Sequence, residues 1–265
     1  MIGTQSQLPE RLFDLSGQVA IVTGGAGRVG FQLCMGLATA GASVVLTSRD
    51  INRCQAAVTA LRDRSFEVQG VLMDVTNENS VGEAQSIILE KSGRVDILVN
   101  NAGIASKFSV EDVPLSEWER VLRVNITGTL ICSRAFAPCM IAQRAGSIIN
   151  ISSIYGVVSP DHRIYGHTER NSSLVYGATK GAIIQMTKYM AVHWAGKGIR
   201  VNCISLGGVQ FDQEPEFVQS YGGRVPLGRM AAPRDLWGAA VFLASKDASY
   251  VTGQNLIVDG GWTTW

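Results

Sequence analysis

The stretch Val19-Ala20-Ile21-Val22-Thr23-Gly24-Gly25-Ala26-Gly27-Arg28-Val29-Gly30 decides the fold of this chain. Its first four residues form an apolar, largely β-branched run, which is typical of a strand buried in a parallel sheet. A glycine-rich turn follows, and apolar residues then recur at helical spacing from Phe31 to Ala38. Strand, glycine turn and helix in this order predict a dinucleotide site, because glycine lets the backbone approach a pyrophosphate and the helix N-terminus supplies N–H donors. A plain tight turn between strand and helix is the alternative.

Strand-like and helix-like patterns alternate along the rest of the chain. Strands are predicted at Val19–Thr23, Ser43–Thr47, Val68–Met73, Ile97–Asn100, Ser147–Ile151, Arg200–Ile204 and Leu256–Val258. Helices are predicted near residues 28–40, 51–63, 77–91, 115–142, 175–195 and 233–245. This alternation predicts a single-domain, doubly wound α/β Rossmann fold, in which helices cover both faces of a central parallel sheet of about seven strands. Residues 12–265 are predicted to form this dinucleotide-binding and catalytic domain, after an N-terminal arm of residues 1–11.

Composition excludes several classes of function. With 265 residues and a formal net charge of +1, the chain suits one α/β domain and has no field that recruits nucleic acid or an anionic membrane. The five cysteines are scattered and odd in number, which indicates free thiols and not a disulfide framework or a zinc site. Residues 1–10 lack the apolar core of a secretory signal, and no apolar run approaches ~18 residues. We therefore expect a cytoplasmic protein with no membrane span.

Tyr176 and Lys180 form the most informative pair of side chains. At a spacing of four residues on a helix, they lie on one face one turn apart. A nearby cation favours a phenolate and lowers its pKa from the usual value of about 10, which makes a tyrosine a working proton donor and acceptor. Alone, the spacing arises often by chance, and a half-buried tyrosine beside a solvated lysine is the alternative.

The glycine turn is the first of several short motifs that occur in a fixed order along the chain. They are the turn at Thr23–Gly30, Asp74-Val75, Asn100-Asn101-Ala102-Gly103, Asn125 in Asn-Ile-Thr-Gly, Ser153 in Asn150-Ile151-Ser152-Ser153, Tyr176 with Lys180, Val201–Ile204 and Val258–Gly261. With these motifs in this order, the chain resembles the short-chain dehydrogenase/reductase family, in its compact single-domain branch, from about Leu12 to Trp262.

The resemblance implies a catalytic set of four residues. Tyr176 would be the general acid and base, and Lys180 would lower its pKa and hold the nicotinamide ribose. Ser153 would bind the substrate oxygen; it is preferred to Ser152 because a glycine follows it three positions later. Asn125 would anchor a water molecule that relays protons from the lysine, whereas capping of a helix kink is its structural alternative.

The interval between the serine and the tyrosine is unusually long for this family. It spans 23 positions from Ser153 to Tyr176, where about a dozen are usual, and a surface insertion of that size is well tolerated. Tyr165, which lies 12 positions after the serine, is therefore a rival. It has Glu169, not a lysine, four positions on, and a carboxylate would raise its pKa. Tyr176 is preferred.

The resemblance also implies a set of cofactor-binding residues. They are Gly24, Gly27, Arg28, Val29, Gly30, Ser48, Arg49, Asp74, Val75, Asn101, Ala102, Gly103, Tyr176, Lys180, Gly207 and Val209. Two features depart from the family pattern: Arg28 stands where a middle glycine is usual, and Leu206-Gly207 replaces Pro-Gly, with Phe211 in place of the usual threonine beyond it. The pyrophosphate and carboxamide contacts can therefore be rearranged.

The choice of cofactor depends on the residues that follow the second strand. NAD sites of this kind place an acid there for the ribose 2′-OH, whereas arginine accommodates the 2′-phosphate of NADP. This chain has Thr47-Ser48-Arg49 before its first acid, Asp50, and guanidinium pairs well with phosphate. NADP(H) is predicted, with Arg28 as a second contact to the phosphate, and NAD(H) is the alternative.

The predicted function is that of an NADP(H)-dependent oxidoreductase that interconverts a secondary alcohol and a ketone. A sugar-nucleotide epimerase or dehydratase is one alternative, since it uses the same Tyr/Lys pair. Such enzymes usually carry a long C-terminal substrate domain, whereas the Val258–Gly261 motif lies near the end of this sequence. A non-catalytic nucleotide sensor on the same fold is another alternative, although a sensor has no use for an activated tyrosine.

Two segments of irregular pattern, residues 155–175 and 207–228, are predicted to contact a small-molecule substrate. They carry the polar residues Asp161, His162, Arg163, His167, Glu169, Asn171, Glu214 and Glu216. Such groups suit a sugar, polyol or related ketone, and the opening Leu12–Gly17 resembles gluconate 5-dehydrogenase-like members of the family. The long loop resembles members associated with surface-sugar synthesis. A polar surface loop without a substrate role would look the same. No metal site is predicted, because turn residues surround the two histidines.

Family resemblance further implies a homo-oligomer, either a tetramer or a dimer. The helix that carries the tyrosine and the C-terminus would form its interfaces. The residues compatible with this are Ile183, Ile184, Met186, Met190, Trp262 and Trp265. Packing of the same residues in the core of one subunit is the alternative.

Overall fold

A computed structural model describes residues 11–166 and 172–265 of the chain, and within these ranges it contains one seven-stranded sheet. All pairings are parallel, in the order β3-β2-β1-β4-β5-β6-β7. The strands are β1 (Val19–Val22), β2 (Ser43–Ser48), β3 (Val68–Leu72), β4 (Ile97–Asn100), β5 (Gly146–Ser153), β6 (Ile199–Leu206) and β7 (Asn255–Val258). The order reverses between β1 and β4, so the predicted doubly wound α/β fold is confirmed, and its ligand crevice lies at that switch point.

Helices cover both faces of this sheet. They are α1 (Arg28–Thr39), α2 (Ile51–Arg62), α3 (Glu78–Ser92), α4 (Leu115–Leu122), α5 (Gly128–Gln143), α6 (Leu174–Ala195), α7 (Pro215–Gly222) and α8 (Trp237–Ala244). Buried side chains of α1, α2 and α8 form one apolar core cluster with the sheet, and those of α3, α5 and α6 form the other. Parallel strands buried on both faces need such apolar cover, which explains their near-continuous apolar runs.

The helix predicted at 115–142 contains a local irregularity. A π-helical segment, Arg123–Thr127, joins α4 to α5 without a break, and Asn125 lies in it, fully buried. By length and composition the whole span Leu115–Gln143 could cross a membrane, but 56% of its most apolar window is buried inside the fold. That degree of burial is typical of a helix packed within a globular core.

The two irregular segments contain structure that the sequence patterns did not predict. Residues 207–228 include helix α7, which has a proline in its first turn and buries Tyr221. Residues 155–175 include a short 3-10 turn, His162–Tyr165, with Ile164 buried. At eight and four residues these elements are too short to show a clear periodicity in the sequence. The predicted residues His167, Glu169 and Asn171, like residues 1–10 of the predicted arm, lie outside the described part of the chain.

Candidate active site

One cavity of about 1060 Å³ lies at the carboxyl ends of the strands. All of the predicted cofactor-binding residues line it, and so do three of the four predicted catalytic residues, Ser153, Tyr176 and Lys180. The fourth, Asn125, is fully buried and does not line the cavity. Residues that are far apart in the sequence are thus collected at one edge of the sheet, where a dinucleotide and a substrate can meet.

The glycine turn shapes the end of the cavity next to β1. Gly24 has a positive φ of 63°, and a Cβ on Gly25 would lie 2.6 Å from the Cβ of Leu46, so both positions favour glycine. Helix α1 begins after Gly27 without a side-chain cap. The N–H groups of its first turn can therefore donate to an anion, and the helix dipole favours negative charge there. This geometry fits the pyrophosphate of a dinucleotide.

Hydrogen bonds join the same turn to the residues that directly follow β4. The Thr23 hydroxyl accepts hydrogen bonds from the backbone N–H groups of Asn101 and Ala102, at 3.0 and 2.9 Å. The Asn101 side chain donates to the Thr23 carbonyl at 2.9 Å. Thr23 was not among the predicted site residues, although its place at the end of the first strand was available as a signal.

The end of β2 is rich in positive charge. Arg49 and Arg53 are both exposed and both line the cavity. Asp50 instead caps helix α2: one of its carboxylate oxygens accepts from the N–H groups of Asn52 and Arg53, at 2.9 and 3.1 Å. One oxygen of the nearest acid is therefore engaged by the helix, although Asp50 also lines the cavity. Arg53 was missed in the sequence, where its place in the first turn after the second strand could have marked it.

Arg28 does not point freely into the cavity. Its guanidinium forms an ion pair with Asp212, with Nη2 at 2.5 Å from Oδ2, and lies 5.7 Å from the centre of the Phe211 ring. The predicted second contact from Arg28 to a 2′-phosphate would require the side chain to leave this pair. In the structure it connects the N-terminus of α1 with the segment 207–228.

Lys180 and Tyr176 are adjacent, as predicted. The lysine is 5% exposed, its Nζ lies 5.5 Å from the centre of the tyrosine ring, and it donates a hydrogen bond to the Ile151 carbonyl at 2.8 Å. Burial lowers the pKa of Lys180 to about 8, because the charged form is poorly solvated.

The pKa of Tyr176 shifts in the direction opposite to the expected one. Burial raises it, and the hydrogen bond between its hydroxyl and Ser153 opposes that rise without cancelling it. In the chain alone, burial outweighs the lowering because it penalises the charged phenolate. That Lys180 lowers the pKa of Tyr176 stays a prediction.

The two neighbouring serines of β5 have different roles in the structure. Ser153 is the last residue paired with β6, opposite Leu206, and its Oγ accepts from the Tyr155 N–H at 3.2 Å. Ser152 turns its Oγ to the Lys180 carbonyl, at 2.8 Å. The glycine used to choose between them, Gly156, packs against α6, where a Cβ would lie 2.6 Å from the Lys180 carbonyl carbon. The structure therefore presents Ser153, not Ser152, to Tyr176.

Asn125 holds two parts of the site together. Its Oδ1 accepts from the Ile104 N–H at 2.9 Å, and its Nδ2 donates to the Ile104 carbonyl and to the Thr179 hydroxyl at 3.0 and 2.9 Å. Gly103 lies between Asn125 and Lys180, because a Cβ there would be 3.4 Å from Oδ1 and 3.6 Å from Nζ. The side chain thus joins the loop after β4 to the helix that carries the Tyr/Lys pair.

Aromatic side chains form the substrate end of the cavity. Those of the two irregular segments that line it are Tyr155, Tyr165, Phe211, Phe217 and Tyr221, and Met230, just after the second segment in the sequence, lines it as well. The polar residues predicted for this role and described in the structure, Asp161, His162, Arg163, Glu214 and Glu216, do not line it. For these five residues the prediction was wrong, because the short 3-10 turn and α7 direct their apolar sides inward; His167, Glu169 and Asn171 lie outside the described residues.

Tyr165, the rival for the catalytic role, occupies a different position from Tyr176. Its hydroxyl lies 3.3 Å from that of Tyr155, and its ring packs on Phe217 with centroids 5.6 Å apart. It is Tyr176 that lies beside the lysine and hydrogen-bonds to Ser153. The geometry therefore supports the choice of Tyr176.

Comparison with known proteins places this site in a family. A family model described as enoyl-(acyl carrier protein) reductase matches residues 25–263. Galactitol 2-dehydrogenase (L-tagatose-forming) of Cereibacter sphaeroides is 35% identical over 96% of this chain and 98% of its own. Gluconate 5-dehydrogenase of Gluconobacter oxydans is 33% identical over 95% and 97%, and cyclopentanol dehydrogenase of Comamonas testosteroni is 36% identical over 93% and 97%.

Solved structures agree with these relatives. A gluconate 5-dehydrogenase from Burkholderia cenocepacia, in complex with NADP and tartrate, superposes with a TM-score of 0.87 at 34% identity, over 96% of this chain and 98% of that one. A short chain dehydrogenase from Leptospira borgpetersenii with bound NAD⁺ superposes with a TM-score of 0.85 at 34% identity, over 98% and 99%. The chain belongs to the short-chain dehydrogenase/reductase family, and it is an NAD(P)-dependent oxidoreductase.

Proposed function

We propose that the chain interconverts a secondary alcohol and a ketone with NADP(H), and that Tyr176 is its general acid and base. One observation carries this proposal: Tyr176, Lys180 and Ser153 share a cavity with the glycine turn and the uncapped start of α1. A bound nicotinamide supplies or accepts the hydride. A dinucleotide on the glycine turn would reach along the sheet edge toward the tyrosine.

The protein's own groups handle the proton. In reduction, the Tyr176 hydroxyl donates its proton to the ketone oxygen as the carbon receives the hydride, and Ser153 orients that oxygen by a hydrogen bond. The raised pKa of Tyr176 keeps its proton in place until the oxygen becomes basic. Lys180, held by Ile151, supports the developing phenolate with its positive charge. Asn125 holds the loop after β4 against α6, the helix that carries Tyr176 and Lys180.

The preference for NADP(H) over NAD(H) is supported by the charges after β2. Arg49 and Arg53 line the cavity, while Asp50 is engaged as a helix cap. Guanidinium groups bind a 2′-phosphate through charge-assisted hydrogen bonds, and two of them stand at this end of the cavity beside the single carboxylate. NADP is the ligand of the Burkholderia relative, whereas the Leptospira relative holds NAD⁺.

A hydroxylated substrate, such as a sugar alcohol or sugar-derived ketone, is the substrate class that we propose. Two of the relatives are named for galactitol and gluconate, and a third for cyclopentanol. The galactitol, gluconate and cyclopentanol pairs of alcohol and ketone, tested with each nicotinamide cofactor, distinguish a polyol enzyme from one for plain ketones.

Substitution of the tyrosine tests the mechanism. Tyr176→Phe is expected to lower kcat by roughly 10²–10⁴-fold, since general acid–base catalysis contributes that much, and to leave the Kd for NADPH nearly unchanged. Initial rates from nicotinamide absorbance and NADPH fluorescence titration measure the two effects. If Tyr176→Phe kept most of the wild-type turnover, the proposal would be refuted.

The alternative functions have distinct signatures. Turnover of a sugar nucleotide with no net change in nicotinamide absorbance would indicate the epimerase or dehydratase. Tight NADPH binding without turnover across a broad panel of carbonyl compounds would indicate the sensor.

The domain bounds, the oligomeric state, the cellular location and the partners are also proposals, and they rest on the family pattern. We take residues 12–265 as one catalytic unit after an arm of residues 1–11, and we take the enzyme as a cytoplasmic homo-oligomer, a tetramer or dimer, without a nucleic-acid or membrane partner. The mass in solution and the fractionation of cells test these statements.

A further inference from the structure

The backbone that follows β6 carries one unpaired donor at the cavity. Four of the five N–H groups of residues 207–211 donate hydrogen bonds: Gly207 to the Val258 carbonyl, Gly208 to the Tyr221 hydroxyl, Gln210 to the Ala231 carbonyl and Phe211 to Oε1 of Gln213. The fifth, that of Val209, has no partner in the described part of the chain, although Val209 is buried and lines the cavity. Because a buried N–H without a partner is costly, this donor indicates a place for an acceptor on a ligand.

The backbone groups of Val209 face the cavity, because the groups on either side of them face away from it. Val209 forms a parallel bridge with Ala231. In this bridge the Gly208 carbonyl and the Gln210 N–H both bond to Ala231, which does not line the cavity. Since successive backbone groups of an extended chain point to opposite sides, the N–H and the carbonyl of Val209 point to the cavity side.

The side chain of Gln213 holds this part of the backbone in place. Its Nε2 donates to the Val209 carbonyl at 2.8 Å, and its Oε1 accepts from the Phe211 N–H at 2.7 Å. A single amide thus closes a ring around residues 209–213. The carbonyl and the N–H of Val209 belong to one residue, so a held carbonyl limits the rotations of φ and ψ through which the N–H could turn away.

Val209 lies at the end of the cavity where the nicotinamide is expected. Arg49 and Arg53, the proposed partners of a 2′-phosphate, follow β2, whereas Val209 follows β6, on the other side of the switch point. A dinucleotide with its adenosine half at β2 and its pyrophosphate at the glycine turn has its second half at β5 and β6, beside Tyr176. The nicotinamide ring carries a carboxamide, and an amide oxygen is an acceptor for an N–H group.

We propose that Gln213 is a positioning residue for the cofactor: it holds Val209 so that the Val209 N–H donates to the carboxamide oxygen of the nicotinamide. A fixed carboxamide keeps the ring oriented beside Tyr176, where the hydride is transferred. Gln213 was not among the site residues predicted from the sequence. The inference rests on the nicotinamide site of the proposed function and adds a residue to that site.

Binding of the whole cofactor and of its adenosine half tests the role of Gln213. Gln213→Ala is expected to raise the Kd for NADPH about tenfold, the effect of one hydrogen bond, and to keep the Kd for adenosine 2′,5′-bisphosphate within about twofold, because that fragment has no carboxamide. Gln210→Ala, at an exposed glutamine of the same segment outside the cavity, is the control and is expected to match wild type with both ligands. Isothermal titration calorimetry with the full chain measures both constants.

A general loss of stability gives a different result from a loss of positioning. Equal losses for NADPH and the fragment, an unchanged Kd for NADPH, or the same loss in Gln210→Ala would each overturn the role of Gln213. If thermal unfolding shows that Gln213→Ala does not fold, Gln213→Met, which has a similar length and no amide, takes its place with the same expected ratio. A wild-type chain that shows this ratio but reduces no ketone would refute the alcohol–ketone function and not the positioning role.

Discussion

At the scale of single residues, the buried ammonium of Lys180 makes stability depend on pH. The folded chain has a lysine pKa of about 8, below the usual value of 10.5, because burial disfavours the charge. Between these values the unfolded chain binds more protons than the folded one, so the free energy of unfolding rises with pH. We expect wild type to gain up to about 3 kcal/mol across this window relative to Lys180→Met. Urea unfolding of the two proteins, without cofactor, at several pH values from 7.5 to 10.5 measures the difference. Parallel pH profiles would show that the lysine is not the cause.

The two serines at the end of β5 give a second test at this scale. Ser153→Ala is expected to lower kcat by about 10²-fold, the effect of removing one donor to the substrate oxygen, while the Kd for NADPH stays nearly constant. Ser152→Ala removes the hydrogen bond to the Lys180 carbonyl and is expected to cost about 1 kcal/mol of stability, with a smaller effect on kcat. Steady-state kinetics and urea unfolding separate the two effects. A reversed order, with Ser152→Ala the slower enzyme, would contradict the assignment.

At the scale of elements, the π-helical segment between α4 and α5 places Asn125 where it links the loop after β4 to α6. Removal of this side chain takes one hydrogen-bond partner from the buried Thr179 hydroxyl and leaves the partly buried backbone groups of Ile104 without their bonds to Asn125. Asn125→Ala is expected to lower the free energy of unfolding by roughly 2–4 kcal/mol. Asn52→Ala, on the exposed side of α2, is the control and should change it by less than about 0.5 kcal/mol. Equal losses of unfolding free energy in the two variants would mean that the hydrogen bonds of Asn125 do not stabilise the fold.

The first turn of α2 allows a test of the proposed cofactor preference. Arg53→Ser is expected to weaken NADPH binding by about 10- to 100-fold, because a charge-assisted hydrogen bond to phosphate is lost, and to leave NADH binding nearly unchanged. Arg134→Ser, on α5 and outside the cavity, is the control. Fluorescence titration with both cofactors measures the ratio. A loss of the same size for NADH would assign the arginine to the common part of the dinucleotide.

At the scale of the whole molecule, the surface of α6 differs from the face predicted for assembly. Ile183 and Met190 are buried within the subunit, and Trp262 is buried and stacked on Tyr221 at 4.5 Å, so these three residues pack in the core of one subunit, which was the stated alternative. The exposed large apolar residues on this helix are Leu174 at its start and, near its end, Tyr189 and Val192, at 71% and 84%. If the proposed oligomer uses α6, the double change Tyr189→Glu and Val192→Glu is expected to lower the mass in solution by dissociating subunits. Light scattering measures it, with Ile51→Glu on α2 as control. An unchanged mass would place the interface elsewhere.

What the sequence determined by itself was local in origin. The order of strands and helices, the glycine turn and the cavity residues at strand ends follow from short patterns, because each strand or turn carries its own signature within a few residues. The carboxyl ends of parallel strands must meet at one edge, so these residues converge without further information. Tyr176 could likewise be preferred to Tyr165 from the identity of the residue four positions on.

Only the tertiary structure decided how distant segments meet. It paired Arg28 with Asp212 and used Asp50 as a helix cap. It turned aromatic residues of the two irregular segments inward, while the charged residues described in these segments stayed outside the cavity. It also reversed the expected shift in the pKa of Tyr176, since burial is a property of the packed chain. These outcomes depend on contacts between residues that are far apart along the chain, and their geometry is set by the packing of the whole core and not by any local pattern.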